Sequence, residues 1–339
     1  MIHISKILKD FFCTYLKEQR ALSPNTLKSY RDTFKILFAY LSSHQQTPRP
    51  IDLADLNVKT ILAFLQHLED HAQGRGNSAK TRNQRLAAIQ SFFRYLALHY
   101  PVAQKHAERI LTIPNKKAPS TTANFLTRPE LEALLSQPNI TSSDGIRDLA
   151  LLNFLYNTGA RASEAAEAKL SWFDFPNRLV TITGKGNKTR ENPLWPTTVR
   201  LLQYYLDHHR RKPKPQAATY FFISQRGLPF TRFGIRNMVK RYIDRASKQC
   251  PELKKKRIST HSLRHTTSAH LLESATEPTV VKYWLGHARK TKSDPYIHID
   301  LNYKRRILER LAPPHYVTSF EEQEKTLSPG NSLNWMEDF

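Results

Sequence analysis

Six residues between positions 161 and 296 of this 339-residue chain have the types and spacing to work on a phosphodiester. Arg161 follows the glycine turn of "NTGARASE", with Glu164 three residues on and so on the same side of the next helical turn. Lys185 lies in "GKGNK", a hairpin-tip sequence that also carries Lys188. In "THSLRH", His261 and Arg264 stand at i and i+3, on one face of the first turn of a helix, where free backbone N–H groups and the dipole favour an anion. "LGH" ends a helix at Gly286 and points His287 out of it, and Tyr296 follows at the end of "LGHARKTKSDPY". Two arginines, a lysine, two histidines and a phenol suit one task, the transfer of a phosphodiester to a tyrosine. The arginines can fork onto the non-bridging oxygens of a pentacovalent phosphate. A histidine or lysine can take the phenol proton, and lysine is suited to protonating the leaving 5′ oxygen. An aryl ester keeps the bond energy, so a returning 5′-hydroxyl can reverse the step without ATP. This chemistry needs neither metal nor cofactor, and "GKGNKT" lacks the spacing of a phosphate-binding P-loop.

Each of these residues also has an ordinary reading. Arg161 and Glu164 can be a structural ion pair, Lys185 a solvated turn lysine, and His287 the cation that finishes a helix after its glycine. His261, His265 and His270 lie four and five apart, the start of a metal site, but no carboxylate or cysteine joins them nearby. Tyr283 and Tyr303 are rival phenols, and Tyr283 sits in the amphipathic "VVKYWL".

The elements that must hold these groups follow from apolar periodicity. Residues 1–105 form a helical domain, with helices starting near Ile4, Thr26, Val58 and Ala79. In "SPNTLKSYRDTFKILFAYL", Leu27, Tyr30, Phe34, Leu37, Phe38 and Leu41 make an apolar stripe, and Lys28, Arg31 and Lys35 share another face. "SAKTRNQRLAAIQSFFRYL" repeats the design: Lys80, Arg82 and Arg85 crowd the first turns, while Leu86, Ile89, Phe92, Phe93 and Leu96 are left to pack. Both basic faces can lie along a phosphate backbone, or can be solvated helix surface. The pattern dissolves from about Ala103 to Ala123, giving a linker over 106–124. A second domain, 125–312, opens with the capping box of "TRPE" and continues with a helix from about Ile146 to Tyr156. "RLVTITGKGNKTRENPLW" reads as a β-hairpin, "TYFFIS" as a third short strand, and the rest to about Arg310 as helix. Residues 313–339 form an acidic tail, disordered or docking on another protomer. The fold class is therefore mainly α with a small antiparallel β-sheet in the catalytic domain.

Composition agrees with the chemistry. Against 29 Asp+Glu stand 52 Lys+Arg, a net charge of +23, which makes nucleic acid the leading partner class. No apolar run approaches the roughly 18 residues of a spanning helix, and the N-terminus reads as neither signal nor transit peptide. Two cysteines, Cys13 and Cys250, fit a reducing cytoplasm.

From "SPNTLKSYRDTFKILFAYL" to "WLGHARKTKSDPYIHID" the chain resembles the tyrosine recombinases, the phage-integrase and Xer group. Their ordered Arg, Lys, His-x-x-Arg, His and Tyr correspond to Arg161, Lys185, His261, Arg264, His287 and Tyr296. The resemblance implies a two-domain, C-shaped DNA clamp whose helical domain is SAM-like. It implies a nucleophilic Tyr296, with Arg161, Arg264 and His287 on the phosphate, Lys185 as general acid and His261 assisting proton transfer. Glu164 and Lys188 would support them. The reaction would pass through a 3′-phosphotyrosine and a Holliday junction, on double-stranded DNA with specific core sites. A homotetramer would act on synapsed DNA, a monomer or dimer would bind single sites, and "NYKRRILERLAPPHY" would dock on a neighbour. The chain departs from the family before the tyrosine, where "ARKTKSDP" replaces a Ser-, Thr- and Gln-rich segment and Pro295 removes a backbone donor. "KSDPY" and the acidic tail favour the integrase or transposase of a mobile element. A chromosome- or plasmid-dimer resolvase, a catalytically silent architectural DNA-binding protein and a type IB topoisomerase are the alternatives.

Overall fold

The computed structural model describes residues 4–44, 49–119, 124–184, 188–274, 276–286 and 301–316. The chain divides into two compact units, Met1–Thr121 and Thr122–Phe339.

The first unit is built from α1 (Ile4–Asp10), which continues in wider π-type turns over Phe11–Gln19, then α2 (Pro24–Ser43), α3 (Val58–Glu69), α4 (Ala79–His99) and α5 (Gln104–Leu111). Side-chain caps set the starts: Ser23, Asn57 and Ser78 accept from the N–H groups of Thr26, Thr60 and Thr81. The apolar stripe of α4, Leu86, Ile89, Phe92, Phe93 and Leu96, is fully buried. Phe11 and Phe34 meet Phe92 edge-on, with ring centroids 5.3 and 5.4 Å away. Helix α5 occupies sequence that reads as linker. Its short run offers only Ala107 and Ile110 to the core, and these are buried against the unit together with Ile113.

The second unit contains α6 (Arg128–Leu135), α7 (Ser143–Thr158), α8 (Ala162–Ala166), β1 (Phe173–Asp174), β2 (Leu179–Thr183), β3 (Thr189–Pro193), α9 (Pro196–Tyr204), α10 (Arg232–Gln249), α11 (Thr260–Glu273), α12 (Pro278–Leu285) and α13 (Leu301–Arg310). The capping box at Thr127 forms as its spacing predicts, Thr127 N donating to Glu130 at 2.7 Å. Helix α7 is buried on every side from Gly145 to Thr158, and α9 and α11 pack on it. Two of its polar residues tie neighbouring segments together inside: Asp148 accepts from Arg147, Arg241 and Tyr242, and Asn157 bridges Pro193 O and Trp195 N. The sheet is antiparallel in the order β1-β2-β3, and the hairpin register pairs Ile182 with Arg190 and Thr183 with Thr189.

The third strand is not "TYFFIS". It is the two-residue β1, which pairs with β2, while Tyr220 and Ile223 make only isolated bridges. Phe221 and Phe222 are buried against Tyr205, Phe154 and Phe173, so their apolar run fills the core instead of extending a ladder. The fold is mainly α with one small antiparallel sheet.

Candidate active site

The site is assembled where α7 ends. Gly159 adopts a left-handed conformation, φ 61°, and a Cβ there would lie 2.4 Å from Leu285 Cδ2, so both backbone and space demand glycine. The turn delivers Arg161 to the N-terminal flank of α8. Glu164, 4% exposed, accepts from Arg161 N at 2.8 Å and from Arg161 Nη1 at 2.7 Å. The Arg161–Glu164 ion pair is therefore real, yet the arginine side chain remains 38% exposed and within reach of a ligand. Arg190 reaches the same carboxylate from β3, with Nη2 and Nη1 at 2.7 and 3.3 Å. Burial pushes the Glu164 carboxyl up, but the hydrogen bonds and charges of Arg190 and Arg161 outweigh it and hold it below its ordinary range.

Helix α11 brings the second arginine. Its start is fixed by Ser259, whose hydroxyl accepts from His261 N at 3.2 Å. His261 is exposed and lies edge-to-face on His265, whereas Arg264 is 1% exposed. The expected common face thus divides: the imidazole stays outside while the guanidinium turns inward. Arg264 Nη1 donates to Gly159 O at 2.6 Å, Nη2 donates to Leu285 O, and its buried Nε has no hydrogen-bond partner among the described residues. Burial, then repulsion from Arg161 and Arg190, pushes its pKa down to about 9, which still leaves it charged at neutral pH. The three histidines of the α11 segment do not converge, because His270 is buried with Nδ1 2.9 Å from Tyr156 Oη.

Lys185, His287 and Tyr296 lie outside the described residues, but the chain leading to or from each is described. Gly184 precedes Lys185, and a Cβ on it would lie 2.9 Å from Glu164 Oε1. Lys188 is exposed and its carbonyl accepts from Gly184 N at 2.8 Å. Gly286, φ 67°, precedes His287, and a Cβ there would lie 3.2 Å from both Cδ and Nη1 of Arg190. Trp284 anchors that end of α12, its Nε1 donating to Asn157 O at 3.3 Å and its carbonyl accepting from Asn192 Nδ2 at 3.2 Å. Five residues beyond Tyr296, α13 begins; Lys304 Nζ donates to Glu191 O, and Trp195 Nε1 donates to Leu308 O at 2.9 Å. Burial pushes Lys304 down to about 8. Of the rival phenols, Tyr303 packs partly against the core, with Arg306 over its ring, and Tyr283 is half-buried.

The six basic residues expected on the first unit separate by exposure. Lys28, Arg31, Lys35 and Lys80 are exposed. Arg82 is buried, with Nη1 on Pro114 O at 2.9 Å, and Arg85 Nη1 bonds Ser29 O and Thr33 Oγ1. A basic face absent from the sequence reading lies on α10, where Arg232, Arg236, Lys240, Arg241, Arg245 and Lys248 are exposed. Their three- and four-residue steps, broken only by the adjacent pair Lys240 and Arg241, were its signal. Arg190 also went unnoticed: its pairing with buried Ile182 places a cation on the inward face of a hairpin, where strand alternation would have found it.

Comparison with known proteins follows this geometry. A family model described as "Phage integrase family" matches residues 124–302, and one described as "Phage integrase, N-terminal SAM-like domain" matches residues 10–99. A putative integrase/recombinase of Sinorhizobium fredii, y4rC, is 34% identical over 97% of this chain and 98% of that protein. Tyrosine recombinase XerC of Oceanobacillus iheyensis is 30% identical over 87% of this chain and 92% of its own length. Among solved structures, the Tn1549 transposon integrase in complex with a circular intermediate DNA matches with a TM-score of 0.64 at 19% identity, over 91% of this chain and 100% of that one, and has the same fold.

Proposed function

The chain belongs to the phage integrase family and is a tyrosine site-specific recombinase, and from that premise we propose that it cuts and rejoins double-stranded DNA through Tyr296. One observation carries this reading: Arg161 and Arg264 gather about a single buried carboxylate, at the point where Gly184 and Gly286 lead into Lys185 and His287. Such a cluster holds more positive charge than it neutralises, which favours a phosphate between the arginines. In the proposed reaction the Tyr296 oxygen attacks phosphorus in line, with His261 assisting removal of its proton, and the bond from phosphorus to the 5′ oxygen breaks. Lys185 protonates the departing oxygen, with Lys188 beside it. Arg161, Arg264 and His287 hold the non-bridging oxygens as charge develops. The 3′-phosphotyrosine is then attacked by the 5′-hydroxyl of a partner strand, which releases the phenol and leaves a junction between two duplexes. Two such exchanges on synapsed sites call for four protomers.

Lys28, Arg31, Lys35 and Lys80 on the first unit and the basic face of α10 on the second are the proposed phosphate-backbone contacts. No helix among the described residues is long and apolar enough to cross a membrane. The place proposed for the reaction is the bacterial cytoplasm, on DNA, and the errand proposed is that of a mobile element. The likeness to y4rC, a putative integrase/recombinase, supports that errand; the likeness to XerC supports the dimer-resolvase alternative.

The test is a duplex nicked beside the scissile phosphate, so that the cleaved fragment diffuses away. Wild-type protein is expected to accumulate a covalent protein–DNA complex, and Tyr296→Phe to form none while binding DNA equally well. No complex from wild type, or an undiminished one from Tyr296→Phe, rejects the assignment. Sequencing the footprint separates element ends from a chromosomal or plasmid resolution site.

A further inference from the structure

Arg190 lies in none of the motifs that carry the chemistry, yet three of them meet at its side chain. Both of its Nη atoms are on Glu164, the carboxylate that holds the main chain and the guanidinium of Arg161. Glu164 Oε1, which accepts from both arginines, is also the atom that a Cβ on Gly184, the residue before Lys185, would meet at 2.9 Å. The Cδ and Nη1 of Arg190 lie against the α-carbon of Gly286, the residue before His287. We propose that Arg190 is a positioning residue for strand cleavage: it clamps Glu164 against Arg161 and fills the space beside Gly286, so that one side chain sets the place of Arg161 and of the main chain at Gly184 and Gly286.

Its geometry separates this role from direct contact with DNA. The side chain is 8% exposed, both terminal nitrogens are engaged, and the remaining Nε is buried without a partner among the described residues. Arg161, by contrast, is the exposed member of the same cluster. A planar fork on both carboxylate oxygens fixes the orientation of the carboxylate as well as its place, which a lysine cannot do. The strand adds rigidity, since Arg190 pairs with Ile182 next to the Thr183–Thr189 pair that closes the hairpin.

The charges give the role a signature. Glu164 is faced by Arg161 from its own helix, by Arg190 from β3 and, at longer range, by Arg264 from α11. Without Arg190, burial acts on Glu164 less opposed, so its carboxyl titrates at higher pH. On the acid side of that titration Glu164 is neutral, and Arg161 loses its counter-charge and its fixed position. The acid limb of the cleavage rate therefore moves to higher pH. Replacing Glu164 by glutamine in the same background removes the titration while keeping a polar partner for Arg161.

This inference rests on the proposed reaction, so the control is the Tyr296-dependent covalent complex of the wild type. If that complex is absent, the reaction itself is rejected; if it forms and Arg190→Met behaves as wild type, only the present inference falls. The measurement is single-turnover cleavage of the nicked duplex at saturating DNA by the full-length protein, from about pH 5 to pH 9, with DNA affinity and thermal unfolding followed separately. Arg190→Met is expected to slow cleavage about 30- to 100-fold while leaving affinity within about threefold, and to raise the acid limb. Adding Glu164→Gln should flatten that limb and hold the rate, across the whole range, near the low value that Arg190→Met reaches at acid pH. Arg190→Lys, which keeps the charge and covers the case of a methionine variant that fails to fold, should lie between wild type and Arg190→Met. The inference is overturned by a wild-type rate and profile, by a loss of affinity that accounts for the loss of rate, by a slow variant with an unmoved acid limb, or by an acid limb that persists unchanged after Glu164→Gln is added.

Discussion

Two buried arginines, one in each unit, face the same local problem and solve it differently. Arg82 on α4 is 4% exposed and Arg264 on α11 1%. Each gives Nη1 to a main-chain carbonyl, and each keeps a buried Nε with no partner among the described residues. Burial lowers the pKa of both, but the charge acting on Arg82 is the carboxylate of Glu69, which opposes that shift. Around Arg264 two further guanidiniums reinforce it, and Glu164 alone opposes them. Arg82 is a clip that ties α4 to the chain after α5. Arg264 does the same for Gly159 and Leu285, but within a cluster whose positive charge exceeds its negative charge. What sets Arg264, the arginine proposed to act on DNA, apart from Arg82 is thus its unneutralised company, since burial and orphaned nitrogens are common to both.

The comparison breaks most readily on the arginines themselves. Arg264→Lys keeps a positive charge but cannot reach both carbonyls and a phosphate with one nitrogen. It should slow cleavage at saturating DNA by about 10²–10³-fold. Arg82→Met should destabilise the first unit by about 1–2 kcal/mol and leave the saturated cleavage rate unchanged. Single-turnover cleavage together with calorimetry of both variants decides the matter. If Arg82→Met slows the chemical step as much as Arg264→Lys does, crowding by like charges is not the distinguishing feature.

A second, smaller effect sharpens the same contrast from the backbone side. Arg264 reaches Gly159 O and Leu285 O only because Gly159 turns left-handed against the Leu285 side chain. Gly159→Ala meets both the φ penalty and the 2.4 Å approach to Leu285. A loss of about 2–4 kcal/mol in the stability of the second unit follows, measurable by denaturant unfolding. A loss below about 1 kcal/mol would mean that the turn relaxes, and that Arg264 is not held by it.

Legibility in the sequence followed the range of the forces involved. The apolar stripe of α4, the capping box at Thr127 and the β2–β3 hairpin are local patterns, and the structure has each where the pattern puts it. Helix α5 was hidden because only Ala107 and Ile110 of its eight residues are fully buried, with Leu111 packed beside them, too short a run for a period. Strand β1 has only two residues and exists because β2 pairs with it, whereas Phe221 and Phe222 look like strand but are packed as core. Within the site, Arg161 and Arg264 announce themselves through neighbouring Gly159, Glu164 and His261. Arg190 does not, because its meaning lies in Glu164, 26 residues away along the chain. Arg82 misled for the mirror-image reason: its place among Lys80 and Arg85 suggested an outward cation, and only the chain returning past Pro114 turns it inward.

The smallest expected effect concerns Pro295, which lies outside the described residues. Proline fixes its own φ near −65°, removes an N–H and biases Asp294 toward extended backbone, so the chain entering Tyr296 has few conformations to choose from. Restricting the approach of a nucleophile favours the attacking geometry without adding a contact to DNA. Pro295→Gln should therefore leave DNA affinity unchanged and lower the single-turnover cleavage rate by about threefold, far less than the loss at Arg264, because the substitution alters how the phenol arrives and not the charge that receives the phosphate. In the proposed reaction Arg264 acts on the phosphate and Pro295 on the phenol, so their effects should multiply in the double variant. An unchanged rate in Pro295→Gln would make the proline incidental. A double variant no slower than Arg264→Lys alone would mean that the two residues govern one event, and that arginine placement and tyrosine approach are not separable parts of the site.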